Sequence, residues 1–193
     1  MLIDGRTTEP RPTEYDLVIV GGGPSGLCLA VELQGAGLRI ALLESGPADG
    51  IDPDTQALYD GPVTGNEDDL DLTAIRLRAL GGTSLHWGGH CAPLDPVDFA
   101  RAPEGLTGWP FPYETLLPFW ERAHDYCDLG AFDYSLGATR GLDRDSLLFA
   151  GHPDVETRIL RQSEPTRFGE KYLPTLRESA TVDLWLWTNA THV

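Results

Sequence analysis

Three glycines near the start of the chain are spaced so that the backbone can turn sharply and lie against a phosphate group. Gly21, Gly23 and Gly26 form the pattern G-x-G-x-x-G directly after the apolar run YDLVIV. In this pattern the first glycine permits a tight turn, the second lets a diphosphate approach the backbone, and the third lets a helix lie close on a strand. Pro24 suits the first helical turn, since its missing N–H is not needed there. The N–H groups of that turn, including that of Ser25, predict an anion site at the positive end of a helix.

An acidic residue follows at the distance expected for a nucleotide site. Glu44 ends the apolar run LRIALLE, roughly twenty residues after the glycines. A carboxylate there can accept hydrogen bonds from both ribose hydroxyls of an adenosine, and it would repel a 2′-phosphate. The alternative is an ordinary glycine loop with a solvated glutamate. The strand before the glycines, the helix after them and the position of the acid favour the nucleotide site.

A second glycine-rich stretch, RALGGTSLHWGGHCAP, lies some way further along the chain. The adjacent Gly81 and Gly82 permit a backbone approach that side chains would block, and the hydroxyl of Ser84 can donate to a cofactor oxygen or nitrogen. The adjacent glycines at 88–89 would permit a second close backbone approach, with Trp87 covering an apolar face. The alternative interpretation is a glycine-rich turn over a buried tryptophan.

The elements around these residues predict an α/β fold. Residues 15–20 and 38–44 read as buried parallel strands joined by a helix over 24–37. We expect a mobile lead-in over 1–14 and the strand–helix–strand region with its second glycine loop over 15–95. A connecting or cap segment, largely helical and loop, is expected over 96–180, and a returning strand over 181–193.

Further helices are expected within the connecting segment. The spacing predicts an amphipathic helix over 113–127, whose apolar residues are assigned to packing rather than to a substrate site. Those residues are Leu116, Leu117, Trp120 and Ala123. A helix near 171–179 and a strand over 183–188 are predicted after it.

Composition limits the partners of this chain. With 14 Lys and Arg residues against 30 Asp and Glu, the net charge is -16, which repels nucleic acid and anionic membrane surfaces. Cys28, Cys91 and Cys127 are odd in number and form no CxxC pair, so neither a disulfide framework nor a zinc site is indicated. The sequence has no signal peptide and no long apolar segment, and a cytoplasmic location is expected.

Taken together, the two glycine motifs and the stretch GWPFPYETLLPFWERAHDYCDLG resemble the amino-terminal half of the glucose-methanol-choline oxidoreductases. The resemblance runs from about residue 15 to the end. It implies a partial Rossmann-like FAD-binding domain with an incomplete second region, and oxidation of alcohols, sugars or polyols by hydride transfer to the flavin. The cofactor-binding residues implied by the motifs and the resemblance are Gly21, Gly23, Pro24, Ser25, Gly26, Glu44, Gly81, Gly82, Thr83, Ser84, His86 and Ala190.

His86 is the residue with the most open role. The stretch GGTSLHW is similar to the pattern of pyranose oxidases and of fructose and gluconate dehydrogenases, which implies a covalent bond from this histidine to the flavin 8-methyl carbon. Noncovalent flavin contact and a core histidine without flavin contact are the alternatives. A metal site built from His86, His90 and Cys91 is disfavoured because no ligand set of structural-zinc spacing accompanies it.

The resemblance also implies residues that this sequence does not contain. A general base must lie within hydrogen-bond reach of the substrate hydroxyl, and none of the histidines here falls in a motif that gives it this role. We expect the base beyond residue 193. The chain is then a fragment, one half of a split enzyme completed by a second polypeptide, or a noncatalytic remnant. A different NAD(P)H- or FAD-dependent reductase or monooxygenase is a further alternative, disfavoured by GGTSLHWGG. The sequence does not identify the electron acceptor, which is oxygen or another compound.

Overall fold

The computed structural model describes residues 1–9, 14–65, 70–100, 108–139, 141–155 and 157–192. The chain divides into two compact units, one formed by 1–87 with 167–193 and the other by 88–166. The strands are β1 (Leu2–Asp4), β2 (Leu17–Val20), β3 (Ile40–Leu43), β4 (His90–Cys91), β5 (Arg161–Gln162) and β6 (Val182–Leu186). The helices are α1 (Pro24–Glu32), α2 (Pro53–Gln56), α3 (Leu72–Ile75), α4 (Pro96–Ala100), α5 (Leu117–Tyr126) and α6 (Phe168–Glu178).

The first unit is built on a parallel sheet with the strand order β1-β6-β3-β2. Leu17 pairs with Ile40, and Ile40 pairs in turn with Val182. Strand β3 is apolar on both faces, and β6 is buried at alternate residues. Apolar residues on both faces are typical of parallel strands that are covered by helices. This confirms the predicted α/β class and places the carboxyl ends of β2 and β3 side by side.

The beginning of the chain departs from its prediction. A mobile lead-in was expected over 1–14, but Leu2–Asp4 forms the edge strand β1, paired in parallel with β6. The backbone N–H of Gly5 also donates to the carbonyl of Leu186 at 3.0 Å. A strand of three residues is too short to show a period-2 pattern, which is why sequence reasoning missed it. Residues 10–13 of the predicted lead-in lie outside the described residues.

Helix α1 is shorter than the predicted 24–37 because two glycines stop it. Gly35 and Gly37 have φ values of +85° and +80°, a left-handed conformation that ends a helix and that glycine adopts readily. Leu27 and Ala30 are fully buried. The observed helix therefore retains the turn that carries the glycine motif and these two core residues.

Helix α6 belongs to the first unit, although the sequence placed this segment in the connecting region over 96–180. Phe168, Tyr172 and Leu176 are buried along one side of it. The helix starts close to the second glycine loop, since a Cβ atom on Gly169 would lie 2.2 Å from the carbonyl oxygen of Leu80. This close approach requires glycine.

The second unit contains the short antiparallel pair β4–β5 and the predicted amphipathic helix. The predicted helix over 113–127 appears as a 3₁₀ turn, Tyr113–Thr115, followed by α5. Trp120 packs with Tyr113 and Phe99 in an aromatic cluster, which fits the assignment of the helix to packing. His124 is buried with its ring nitrogens bonded to the Gly130 carbonyl and the Tyr134 hydroxyl, both at 3.0 Å. Over the described residues, no helix is long and apolar enough to cross a membrane.

Candidate functional site

A cavity of about 340 Å³ opens at the carboxyl ends of β2 and β3, where ligands bind in open α/β sheets. It lies wholly within the first unit. Its lining comes from the first glycine turn, the end of β3, the segment before the second glycine loop, that loop itself and the segment after β6. The lining residues are Val20, Gly21, Gly23, Pro24, Leu43, Glu44, Ser45, Tyr59, Arg76, Leu77, Arg78, Gly82, Thr83, Thr188, Asn189 and Ala190.

The first glycine turn has the geometry that its motif predicts. Gly21 has a φ of +102°, which favours glycine, and its N–H donates to the Leu43 carbonyl at 2.8 Å. A Cβ atom on Gly26 would lie 2.0 Å from the Gly21 carbonyl oxygen, so the helix can approach the strand only with glycine there. A Cβ atom on Gly23 would meet no described atom within 4 Å. The open side of Gly23 is therefore space for a ligand rather than for packing.

Helix α1 presents its amino terminus to this cavity. Pro24 and Gly23 both line the cavity, and Gly23, at the N-cap position, supplies no side chain to cap the helix. The first N–H groups of a helix have no partner within it, so they remain donors for an anion. Ser25 is exposed in the same turn but is not part of the cavity wall.

Glu44 is a buried carboxylate held by backbone donors. It is 5% exposed, and one oxygen accepts from the N–H of Gly22 at 2.8 Å while the other accepts from the N–H of Gly46 at 2.8 Å. The Ser45 hydroxyl also donates to one of these oxygens, at 3.3 Å. A carboxylate offers about four lone-pair positions, so these three bonds leave capacity for a further donor. Glu44 also lines the cavity. Its position fits a ribose acceptor whose orientation is fixed in advance.

The second glycine loop joins the first turn. Gly81 donates its N–H to the Gly22 carbonyl at 2.7 Å, and its φ of +98° favours glycine. A Cβ atom on Gly82 would lie 3.3 Å from the Cα of Gly23, so the two loops touch backbone to backbone. Thr83 is exposed and lines the cavity next to Gly82. The two motifs therefore form one site.

Ser84 has a different environment from the one its motif predicts. It is 3% exposed, its hydroxyl donates to the Gly81 carbonyl at 2.6 Å and accepts from the Phe168 N–H at 3.3 Å. These bonds fasten the 3₁₀ turn Gly82–Leu85 to the start of α6. Both bonds are internal, and Ser84 is not among the residues of the cavity wall, so its role as a cofactor donor stays a prediction.

His86 follows this turn and is exposed. Its backbone N–H donates to the Thr83 carbonyl at 3.1 Å, which places the histidine one turn beyond a residue of the cavity wall. Because its side chain is exposed, His86 is not part of the core in this structure. Within the described ranges, no three His, Cys, Asp or Glu side chains are grouped so that they could hold a metal.

Of the predicted cofactor residues, the cavity wall brings together Gly21, Gly23, Pro24, Glu44, Gly82, Thr83 and Ala190. Gly26 and Gly81 act just behind it through their close backbone approaches. Sequence reasoning missed Tyr59, Arg76, Arg78 and Asn189. Asn189 adjoins the predicted Ala190 and was within reach of the same argument, whereas no motif marks Tyr59 or the arginines.

The cofactor follows from comparison with known proteins. Residues 16–72 match the model of a family described as FAD binding domain. A 2-methyl-1,2-propanediol dehydrogenase of Mycolicibacterium austroafricanum is 29% identical over 154 residues, covering 68% of this chain and 28% of that protein. A gluconate 2-dehydrogenase flavoprotein of Pantoea cypripedii is 32% identical over 161 residues, covering 62% of this chain and 26% of that protein. The chain thus spans about a quarter of the length of these curated relatives.

These matches agree with the geometry. The open side of Gly23 is a cradle that a Cβ atom would fill, and the fixed carboxylate of Glu44 adjoins it in one cavity. The residues present therefore fit a dinucleotide. The first unit is a partial Rossmann-like FAD-binding domain, and FAD is its cofactor.

Proposed function

We propose that this chain is the FAD-binding part of an oxidoreductase that oxidises CH–OH groups of small alcohols, sugars or polyols, of the glucose-methanol-choline type. The observation that carries the proposal is the contact between Gly82 and Gly23, because it joins the second glycine motif to the dinucleotide turn. The second motif is the part that sets this family apart from other flavoproteins. The names of the two relatives, dehydrogenases of a diol and of gluconate, support the same class of reaction.

In this proposal each part of the cavity has a binding role. The N–H groups of the first turn of α1 hold the diphosphate beside Gly23, and the Glu44 carboxylate accepts from the ribose. Ala190 lies beside the adenine, and Gly82 with Thr83 lies along the remainder of the cofactor. FAD, when bound, would supply the flavin ring that accepts a hydride from the substrate carbon. The chain's own contribution is to bind the cofactor and fix its orientation.

We assign the general base to polypeptide outside this chain. A base must reach the substrate hydroxyl directly or through one water. Among the described residues, the cavity wall contains no histidine, and its one carboxylate is Glu44, which already accepts two backbone hydrogen bonds. The substrate site is accordingly proposed to be completed by the remainder of a longer protein or by a second polypeptide.

The edge of the sheet supports a missing structural partner. Strand β2 is the last strand of the described sheet, and Val18 and Val20 are 51% and 60% exposed. These two side chains lie on the same face of the strand, because successive side chains alternate between the faces of a sheet, and Val20 also lines the cofactor cavity. Unpaired strand edges are usually covered in native proteins, and a further strand beside β2, with the element that connects it, would cover both the edge and this face.

The proposal is tested on the complete polypeptide or on this chain coexpressed with its neighbouring open reading frame. The flavin absorbance is recorded without oxygen while alcohols, vicinal diols, aldonic acids and, separately, NADH and NADPH are added. Bleaching of the flavin by a hydroxylated substrate but not by the nicotinamides is expected. Bleaching by NADH or NADPH alone would replace the proposal with a reductase or monooxygenase. A flavin-loaded protein that none of these compounds bleaches would favour a noncatalytic remnant.

Covalent attachment through His86 is the finer part of the proposal. The exposed side chain and the backbone bond to Thr83 support it, since they leave the imidazole available one turn from the cavity wall. Intact mass after acid precipitation is the test, with His86→Ala as the variant and the exposed His152→Ala as its matched control. An FAD-sized increment that survives precipitation in the wild type and the control, and disappears in His86→Ala, is expected. Release of all flavin from the wild type would exclude the covalent bond.

A further inference from the structure

The cofactor cavity is locally basic in an acidic chain. Arg76 and Arg78 both line it, and Glu44 is the one acidic residue among its lining residues. The chain as a whole carries 30 Asp and Glu residues against 14 Lys and Arg residues. Two guanidinium groups in one wall therefore distinguish this cavity from the acidic surface of the rest of the chain and favour a negatively charged ligand.

The main chain at Arg78 is fixed from two sides. Its N–H donates to the side-chain oxygen of Gln56 at 2.9 Å, and the Gln56 amide nitrogen donates to the Arg76 carbonyl at 2.6 Å. On the other side, a Cβ atom on Gly46 would lie 1.9 Å from the Arg78 carbonyl oxygen. The two residues Gln56 and Gly46 hold Arg78 in a defined place relative to Glu44.

The side chain of Arg78 is also held, but its donors are not filled. Its Cζ lies 4.6 Å from the centre of the Tyr59 ring, and Nη1 is 3.4 Å from the Asn189 side-chain oxygen, a long hydrogen bond. Its Nε is buried and has no hydrogen-bond partner among the described residues. Within the described part of the chain, the guanidinium nitrogens beyond Nε make one long hydrogen bond, and Arg78 lines the cavity, so a ligand there can supply acceptors to them.

We infer that Arg78 binds the diphosphate of FAD, together with the amino terminus of α1. The inference rests on the FAD site proposed above. A guanidinium is permanently charged and presents a planar fork of donors that matches phosphate oxygens, whereas adenine and ribose offer no negative charge to it. Tyr59 lies against one face of the group. Arg78 is thus a binding residue that no sequence motif marks.

The test compares a ligand that has the diphosphate with one that lacks it. Binding of ADP and of adenosine to the purified chain is measured by calorimetry or ligand-observed NMR for the wild type and Arg78→Gln. The matched control is Arg177→Gln, which removes the same charge from the exposed side of α6. Loss of hydrogen bonds to a charged group is expected to weaken ADP binding in Arg78→Gln by about tenfold or more, with adenosine binding and the control unchanged.

A second variant separates folding from binding. If Arg78→Gln does not give the circular dichroism spectrum of the wild type, Arg78→Lys keeps the charge and removes the fork, and it is expected to weaken ADP binding but not adenosine binding. Unchanged ADP binding in a folded variant would overturn the role of Arg78 but would leave the FAD site standing. An equal loss for adenosine would overturn it in favour of stacking on the adenine. Failure of the wild type to bind either FAD or ADP would overturn the FAD site itself.

Discussion

The carboxylate of Glu44 accepts a hydrogen bond from the backbone N–H of Gly22 at 2.8 Å, so the end of β3 is tied directly to the glycine turn that follows β2. The other oxygen accepts from Gly46, which leaves the buried carboxylate oriented before any ligand arrives. One residue thus connects the position of the predicted ribose acceptor to the shape of the predicted phosphate cradle. We therefore expect Glu44 to contribute to stability as well as to binding.

Replacing Glu44 with glutamine is expected to weaken both properties. The glutamine amide would place a donor against one of the two backbone N–H groups, which would then be buried without an acceptor, at a cost of about 1–3 kcal/mol. Urea unfolding of the cofactor-free chain measures this loss, and FAD titration measures the accompanying loss of affinity. Glu121→Gln, on the exposed side of α5, is the control and should change neither. Wild-type stability in Glu44→Gln would contradict the structural role.

Two alanine substitutions in the glycine turn, Gly23→Ala and Gly26→Ala, are expected to separate effects on FAD binding from effects on stability. Gly23 has a φ of -75° and open space on its side, so Gly23→Ala is expected to leave stability unchanged or raise it by up to about 1 kcal/mol. The same methyl group would enter the cradle and weaken FAD binding by about tenfold or more. Unfolding curves and FAD titrations on the same preparations check both parts.

Gly26→Ala is the matched opposite. Its Cβ would lie 2.0 Å from the Gly21 carbonyl oxygen, a backbone atom that cannot move aside cheaply. Overpacking of this kind costs about 1–3 kcal/mol or more, so the variant should unfold at lower urea concentration than Gly23→Ala. Equal stability of the two variants would show that the turn is not built as described.

Ser84 tests whether the second loop depends on an internal hydroxyl. Removing the hydroxyl leaves the Gly81 carbonyl and the Phe168 N–H without their partner, so Ser84→Ala is expected to lose about 1–3 kcal/mol in urea unfolding. Ser25→Ala, at an exposed position of α1, should stay within about 0.5 kcal/mol of the wild type. If instead Ser84→Ala kept its stability and lost only FAD affinity, the hydroxyl would be a cofactor donor as its motif predicts.

Cys28 offers a test of packing between α1 and its surroundings. Burial raises the pKa of its thiol to about 11, with a smaller opposing effect from Lys171. Because only the thiolate reacts, alkylation by iodoacetamide should be slow at pH 8 and rise about tenfold per pH unit through pH 10. Peptide-resolved mass spectrometry follows Cys28 separately from Cys91 and Cys127. In urea the rate should level off near the ordinary thiol pKa, and the same levelling in the native chain would contradict the buried environment.

The strand–helix–strand unit was predictable from sequence because its signals are local. The apolar runs at Leu17–Val20 and Ile40–Leu43 and the spacing of Gly21 and Gly26 each act within a few residues of one another. The end of α1 was misjudged because Gly35 was not weighed as a stop. The strand Leu2–Asp4 was missed since its pairing partner lies at the opposite end of the chain.

The remainder of the site depends on contacts between distant segments. Tyr59, Arg78 and Asn189 meet only because the chain folds back around the ends of the strands, and no spacing in the sequence announces that meeting. Ser84 shows the converse case. Its motif points to the cofactor, but the nearby start of α6 offers the hydroxyl a partner at Phe168 that the sequence alone does not reveal.

The measurement that tests the central claim most directly is an equilibrium titration of the purified chain with FAD, followed by the quenching of flavin fluorescence. Saturable binding of one FAD per chain is expected for the wild type, and ADP should compete with it because both place a diphosphate at Gly23. Absence of saturable binding by a chain with a cooperative unfolding transition, or binding that ADP does not displace, would contradict the account of this cavity as an FAD site.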